Sequence, residues 1–474
     1  MDLWKRTKRA SELRHSFHIH KEPDSRRWTM ISEQELELAN KSIEFALAEG
    51  ADACRAVLNK NVSDMLDTLN SQIDKVTHCL DRSLSLMLFV DGKFASFSTN
   101  RLEEKELADF VKRCVLITRM LEKDECRTLP QADRCCHDAT LGTELGIYDP
   151  QYATLSGEER KSMALAHCLD INLERKGYKI ISEEGQYCDS EFDSITLDSN
   201  GLYCRHSETS FEYASEVTIQ SDAGEKYSSY WWTSSPFLKD FDYANVGEIA
   251  LKRAVEQIGS QTIKSGKRTM VVGPEVSSKL LTPILQALGG YAIQQNNSFL
   301  NDSLSKKVFS YKMNLVDEPH RYAESGSRLF DSEGVATRNM DIIREGVIKT
   351  YFLNTYIANK LGEEATIEDA TRAHLLPSEK GLTKEEILKR CHNGILVTNF
   401  NGGNFNGLTG DFSYGIEGYE FKDGKITRPV NEMLITGNFI QLWSGLLYAG
   451  DDPILSMTKL IPTLAFEGVD FSGK

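Results

Sequence analysis

Apolar residues first recur at helical spacing in Leu36, Ala39, Ile43, Ala46 and Leu47, between Ser32/Glu35 and Gly50. Serine followed by glutamate three residues later is a capping box, and glycine past the last turn is a stop. The segment is therefore predicted to be an amphipathic helix. The apolar run Leu84 to Val90 meets Asp91-Gly92 and then the alternating Lys93 to Phe97. Asp-Gly accepts the positive φ angles of a type I′ turn, so a β-hairpin is expected there. A second helix is predicted from Asn100/Glu103, with Leu107, Phe110, Val111, Cys114, Ile117 and Leu121 on one face. A third is predicted from Ser156/Glu159 to near Gly177. From Tyr178 to Trp232 short alternating runs surround turns at Asp198-Ser199-Asn200-Gly201 and Ser221-Asp222-Ala223-Gly224, which reads as a meander of five strands. A fourth helix is expected between Asn245/Glu248 and Gly259.

The second half opens with a short strand, Thr269-Met270-Val271-Val272, and a helix-like segment from about Ser277 to Leu288. Pro283 should kink that segment or mark its first turn. Beyond Ile395 the chain is glycine-rich and strand-like, with Asn401-Gly402-Gly403, Gly407, Gly410 and a hairpin turn at Asp423-Gly424. No repeat of solenoid period is present. The pattern predicts an α+β chain. Residues 1–30 read as an extension without order, 31–235 as an N-terminal α/β domain with helices on a sheet, and 236–474 as a β-rich C-terminal domain, with the boundary near Ser234-Ser235-Pro236.

The bulk numbers narrow the function. At 474 residues the chain exceeds one ordinary core, and 40% hydrophobic with 26% charged residues is the balance of a soluble globular protein. A formal net charge of −15 repels phosphate backbones and anionic lipid, so direct contact with nucleic acid or membrane is not expected. No apolar run reaches the roughly 18–20 residues of a membrane-spanning helix. The first thirty residues are basic and polar without an apolar core, unlike a secretory signal. Ten cysteines without a regular framework suit a reducing cytoplasm.

Common catalytic signatures are missing: no H-E-x-x-H helix, no Walker A loop, no G-x-S-x-G elbow and no paired C-x-x-C. Gly410-Asp411-Phe412-Ser413-Tyr414-Gly415 has its serine one place off an elbow and reads as a turn between strands. Cys126, Cys135, Cys136 and His137 come nearest to a zinc set, but their spacing matches no standard pattern, and buried thiols behave as small apolar groups. His15, His18 and His20 read as tail residues. Trp231-Trp232 and Phe237 read as anchors of a core or interface.

Leu329-Phe330-Asp331-Ser332-Glu333-Gly334-Val335, then Arg338, then Asp341-Ile342-Ile343-Arg344-Glu345-Gly346-Val347-Ile348, form an ordered set. Leu353, Tyr356, Ala358 and Leu361-Gly362 follow it, Ser298-Phe299-Leu300-Asn301-Asp302-Ser303-Leu304 precedes it, and Gly410–Gly415 comes later. Over about residues 31–470 the chain resembles the TldD/TldE (PmbA) metallopeptidase family, in particular its TldE/PmbA branch, some members of which are labelled modulators of DNA gyrase. The family's catalytic branch carries H-E-x-x-x-H on the helix after a V-x-G-P strand, and a later cysteine completes its metal site. Here the strand reads Val271-Val272-Gly273-Pro274, and an ungapped placement puts Thr282 and Ala287 at the histidines and Pro283 at the glutamate. None of the three serves as a zinc ligand or proton shuttle. No cysteine or histidine follows His392.

The resemblance implies a cytoplasmic peptidase acting on unfolded peptides, with zinc in a TldD-like catalytic partner and no cofactor in this chain; a homodimer is the other assembly considered. No catalytic or metal-binding residue is assigned. Gly402, Gly403, Gly410 and Asp411 are candidates for peptide contact, because glycine lets a backbone approach closely; for each glycine alone, a tight β turn is the simpler reading. Two rivals stand beside this. One is a homodimeric hydrolase using His320, His374, Cys391 and His392, the only histidines and cysteines after His206. The other is a non-enzymatic peptide-binding or regulatory protein.

Overall fold

The computed structural model describes residues 30–166 and 168–473. The extension, apart from Met30, and with it His15, His18 and His20, lies outside the described residues. Helix α1 (Glu33–Ala48) has the expected capping box, Ser32 Oγ accepting from the Glu35 amide and the Glu35 carboxylate accepting from the Ser32 amide. Strands β1 (Ala53–Leu69), β2 (Gln72–Val90) and β3 (Lys93–Thr99) follow, with the Asp91-Gly92 turn at φ +54° and +74°. Helix α2 (Glu104–Thr118) starts later than expected. Its N-cap is Glu103, which makes no side-chain capping bond, so the Asn100 signal is not used. Helix α3 (Gly157–Leu165) has its Ser156/Glu159 box but ends twelve residues before Gly177.

Three long strands, not five short ones, complete this half: β4 (Tyr178–Asp198), β5 (Tyr203–Ser221) and β6 (Lys226–Ser235). The sheet order is β3-β2-β1-β4-β5-β6, every neighbour antiparallel. Three acidic residues that break the pattern in β4 are buried with partners. Asp189 accepts from Arg160 at 2.6 Å, Asp193 from Arg205 at 2.6 Å, and Glu191 from the Tyr148 hydroxyl at 3.0 Å. Burying a charge is tolerated only when it is paired in this way. Helix α4 (Val246–Val255) packs on β5 and β6 through Ala250, Leu251 and Ala254.

The second half is a closed barrel with a long excursion. Strand β7 (Gly266–Val272) leads into helix α5 (Pro274–Ala287), and a short α6 (Gly290–Gln294) follows. Next come β8 (Leu315–Asp317), β9 (Met340–Arg344), β10 (Val347–Ile348), α7 (Thr355–Leu361), β11 (Ala373–Leu375) and α8 (Lys384–Cys391). The small sheet runs β10-β9-β8-β11. The chain then returns through β12 (Gly394–Phe405), β13 (Asp411–Lys422), β14 (Lys425–Asn438), α9 (Phe439–Ser444), β15 (Leu446–Ala449) and β16 (Leu464–Ser472). The order is β14-β13-β12-β7-β16-β15, and β14 also pairs with β16, which closes the barrel. The fold is thus α+β, with a sheet-and-helix first half and a β-rich second half.

Helix α5 begins three residues before the expected start, because Gly273 is its N-cap and Pro274 its first residue, where a missing N–H costs no helical bond. Pro283 is therefore interior, not in the first turn. Leu280, Leu281 and Ile284 hold the helix in one core with Phe412, Phe439, Trp443 and Phe466, and the Trp443 indole donates to the Leu280 carbonyl at 3.2 Å.

The Phe330–Val335 block is a structural joint. Its Asp331 carboxylate accepts from the Glu333 and Val335 amides at 2.9 Å, and Glu333 accepts from the Thr355 amide at the start of α7 at 2.8 Å. Cys136 N–H donates to the Gly334 carbonyl, which ties the block to the first half.

Candidate functional site

A pocket of about 610 Å³ lies between α5 and the β12–β13 hairpin. On α5, Glu275, Lys279, Thr282 and Gln286 recur at intervals of three or four and so share one face, while Leu280, Leu281 and Ile284 are buried in the core. The Thr282 hydroxyl bonds back to the Ser278 carbonyl at 2.9 Å, and so is partly spent on its own helix. Pro283 also lines the pocket.

The facing wall is β12, bent by two bulges. Register shifts occur between Val397 and Asn399 and between Phe400 and Gly403. Each puts an extra residue opposite β13, and such bulges re-aim side chains. Gly402 and Gly403 make the second at φ +84° and +95°. A Cβ at Gly403 would stand 2.1 Å from the Ser413 carbonyl oxygen, so only glycine fits; at Gly402 the space is open. Asn399, Phe400, Gly403, Asn404 and Phe405 reach the pocket from this wall. Asn399 and Asn401 both donate to the Glu417 carboxylate, at 3.1 and 2.8 Å, which fixes the bulged segment.

Tyr414 lies among aromatic rings, with Phe412 at 5.5 Å and Phe400 at 5.7 Å between centroids, and the Lys279 ammonium is 5.3 Å from its ring centre. The first half of the chain contributes Tyr230 from β6, stacked on Trp232 at 5.9 Å. Arg253 of α4 joins the two halves. It donates to Glu275 at 3.3 Å and to the Thr398 carbonyl at 2.9 Å, and its guanidinium is 5.1 Å from the Trp231 ring centre. The two charged lining residues are thus Glu275, neutralised by Arg253, and Lys279.

Of the sequence candidates, Thr282, Pro283 and Gly403 come together in this pocket. Ala287 does not line it; the residue is buried on α5, where its carbonyl accepts from Ser298 Oγ at 2.6 Å. Gly402, Gly410 and Asp411 are not among the lining residues. Gly410, at φ +79°, packs near Phe299, and the Asp411 carboxylate accepts from Asn438 at 3.0 Å and Thr409 at 2.8 Å, bonds that hold it below the usual carboxylate range. Tyr230, Lys279, Gln286, Asn404 and Arg253 were not singled out from sequence. The polar stripe at 275, 279, 282 and 286 was the available signal for the helical part.

The donor set does not fit zinc. Thr282, Pro283 and Ala287 offer no imidazole, carboxylate or thiolate. Among the described residues no group of three or more histidine, cysteine, aspartate or glutamate side chains converges as a metal site. The rival set is dispersed in its bonding: His320 pairs with Thr337 at 2.9 Å, His374 with Glu318 at 3.0 Å, and Cys391 and His392 stand at the end of α8. Cys135 and Cys136 are buried among Ala139, Leu202 and Phe330, as small apolar residues would be.

Sequence models of the PmbA/TldA metallopeptidase central and C-terminal domains match residues 158–258 and 265–473, together well over half of the chain. A protein named as a modulator of DNA gyrase from Bacteroides thetaiotaomicron is 39% identical; the alignment covers 94% of this chain and 100% of that one, with a TM-score of 0.89. Metalloprotease PmbA of Escherichia coli O157:H7 is 26% identical over 419 residues, covering 87% of this chain and 90% of the relative. TldE from Thermococcus kodakarensis shares the fold at 17% identity, with a TM-score of 0.78 over 92% of this chain and 100% of that one. This chain belongs to the PmbA/TldD metallopeptidase family.

Proposed function

We propose that this chain is the TldE/PmbA-like subunit of a cytoplasmic metallopeptidase of its family, gripping unfolded peptides while a TldD-like partner holds the zinc. The observation that carries the reading is the α5–β12 pocket. It lies against the helix on which, by the family resemblance, the metal motif is expected, yet the motif positions that line it hold a back-bonded threonine and a proline. What remains suits a peptide: aromatic surface from Tyr230, Phe400 and Tyr414, carboxamides from Asn404 and Gln286, and the ammonium of Lys279 for a carboxylate. Strand β6, an edge of its sheet, places Tyr230 at the pocket and offers backbone groups to an extended chain.

The test is to measure peptidase activity and metal content of the purified chain alone, then mixed with an H-E-x-x-x-H-bearing relative. Activity confined to the mixture, with direct association of the two chains, is the expected result. Stoichiometric metal and peptide hydrolysis by the chain alone would overturn it.

A further inference from the structure

The joint between the two halves encloses a second cavity, of about 410 Å³, which shares no lining residue with the α5–β12 pocket. Phe94 of β3, Glu122, Lys123, Asp124 and Arg127 of the segment after α2, and Lys360 of α7 line it. Protein bonds tie its walls together. The Asp124 amide donates to the Gly92 carbonyl at 2.9 Å, the Tyr356 hydroxyl of α7 to the Asp124 carboxylate at 2.9 Å, and Asn359 to the Cys126 carbonyl at 2.9 Å. A cavity formed in advance is usual for a small-molecule site.

Arg127 is its unusual member. The guanidinium carbon lies 3.3 Å from the Tyr356 ring centre and 4.7 Å from that of Phe94. Contact with two rings fixes the orientation of a guanidinium and leaves its N–H edge available. Among the described residues that edge makes no hydrogen bond and no ion pair. Asp124, three residues away, is spent elsewhere: it takes the Tyr356 hydroxyl and pairs with Lys360 at 3.5 Å. An arginine placed only to join the halves would gain from that carboxylate, since charged, forked bonds are the strong ones. Lys123 is exposed and likewise makes no side-chain bond, and Glu122 is the one carboxylate of the cavity without a partner among the described residues. Arg127 and Lys123 therefore stand compensated only by Glu122, in a chain whose net charge is −15. A solvated arginine resting on aromatic rings is the simpler reading of Arg127 alone. It leaves unexplained why Lys123 and Lys360 line the same preformed space.

The arginine fork fits two oxygens of one group, as in a carboxylate or a phosphate. Three cations around one space favour the doubly charged group, which is phosphate. At about 410 Å³ the cavity falls within the ~300–1,000 Å³ of small-molecule sites and exceeds what a bare ion fills. We propose that this cavity binds a small phosphate monoester, its phosphate gripped by Arg127, Lys123 and Lys360, and its body donating a hydroxyl or amino group to Glu122. Such a ligand touches β3 and α7 at once. It clamps the two halves together and stabilises the folded chain as it saturates.

Isothermal titration calorimetry of the full chain at low ionic strength tests this, with phosphoethanolamine, inorganic phosphate and acetate as probes. Phosphoethanolamine should bind one-to-one and raise the thermal midpoint. Inorganic phosphate should compete with it, and acetate should bind at least tenfold more weakly. R127M keeps an apolar stem against Tyr356 and Phe94 but removes the fork, and should weaken phosphoethanolamine binding about tenfold. K123M changes an exposed side chain and should weaken it about threefold. K425M, an exposed lysine at the β13–β14 turn, makes the same change in net charge and should leave binding as it was. Circular dichroism reports whether R127M is folded; if it is not, K123M against K425M decides. No binding of either phosphate probe at millimolar concentration, acetate binding as tightly as phosphoethanolamine, or K123M binding like K425M would each overturn the proposal.

Discussion

Removing the guanidinium that joins the two halves of the chain at the pocket should be among the more damaging single changes here. Arg253 makes three contacts: a charged bond to Glu275, a bond to the Thr398 carbonyl, and a cation–π contact with Trp231. Arg253→Ala deletes all three and leaves the Glu275 carboxylate, 7% exposed, without its cation. Breaking one side of a buried ion pair costs about 3–5 kcal/mol. The Arg253 side chain is 20% exposed and its Nε has no partner, which argues for the low end, about 3 kcal/mol. Urea unfolding followed by tryptophan fluorescence measures this loss. The same substitution made on Glu275→Gln, which removes the stranded charge, should cost only about 1 kcal/mol, the worth of one hydrogen bond and a cation–π contact. An Arg253→Ala cost below about 1 kcal/mol, or an equal cost in both backgrounds, would refute the reasoning. Loss of the Thr398 bond also frees the first bulge of β12, so peptide affinity should fall with stability.

Glu183 on β4 is fully buried, and burial pushes its carboxyl up from 4.5 to about 7. The folded chain thus keeps a proton at Glu183 that the unfolded chain releases, so the contribution of this group is most favourable below about pH 4.5 and is lost as pH rises to 7. At about 1.4 kcal/mol per unit the loss approaches about 3 kcal/mol, and Glu183→Gln should remove it from melts compared at pH 5 and 8; an unchanged pH slope would refute the assignment. Gly403→Ala meets the Ser413 carbonyl as well as a positive φ and should cost roughly 2–3 kcal/mol, whereas Gly402→Ala, in open space, should cost about 1; equal losses in thermal denaturation would contradict the bulge argument. Lys279→Met should weaken binding of a fluorescent peptide carboxylate about tenfold in anisotropy, with little effect on its amidated form; equal effects on both would remove Lys279 from the binding reading.

What was legible in the sequence was local. The Ser32/Glu35 box and the Asp91-Gly92 and Asp423-Gly424 turns depend on residues within a few places of each other, and each forms as expected, the last at φ +49° and +73°. Strand β1 and the first half of β2 were not anticipated, because Asn59 to Asp67 carries polar side chains on both faces. The β4 pattern misled for a related reason, since Asp189, Asp193 and Glu191 are buried against Arg160, Arg205 and Tyr148, partners no periodicity reveals. The site divides in the same way. Thr282 and Pro283 were found from the order of motifs around one helix, whereas Tyr230 and Arg253 reach it from elements in the other half of the chain.

The proline at the centre of the pocket wall is the residue that asks most for an explanation. An interior proline costs about 3 kcal/mol in an isolated helix, because it lacks an N–H and its ring crowds the carbonyl four residues earlier. Helix α5 nonetheless runs through Pro283, held by Leu280, Leu281 and Ile284 in the core and by the Trp443 bond. The opposite wall is shaped by the two bulges and the Glu417 bonds, which involve no residue of α5. The facing wall of the pocket therefore does not depend on which side chains stand at 282 and 283, whereas Ala287 belongs to the core. The carbonyl that loses its helical donor to Pro283 is that of Lys279, whose side chain also lines the pocket. Under the peptide-binding reading, a position unable to carry a catalytic carboxylate thereby gains a backbone acceptor for an N–H of the bound chain.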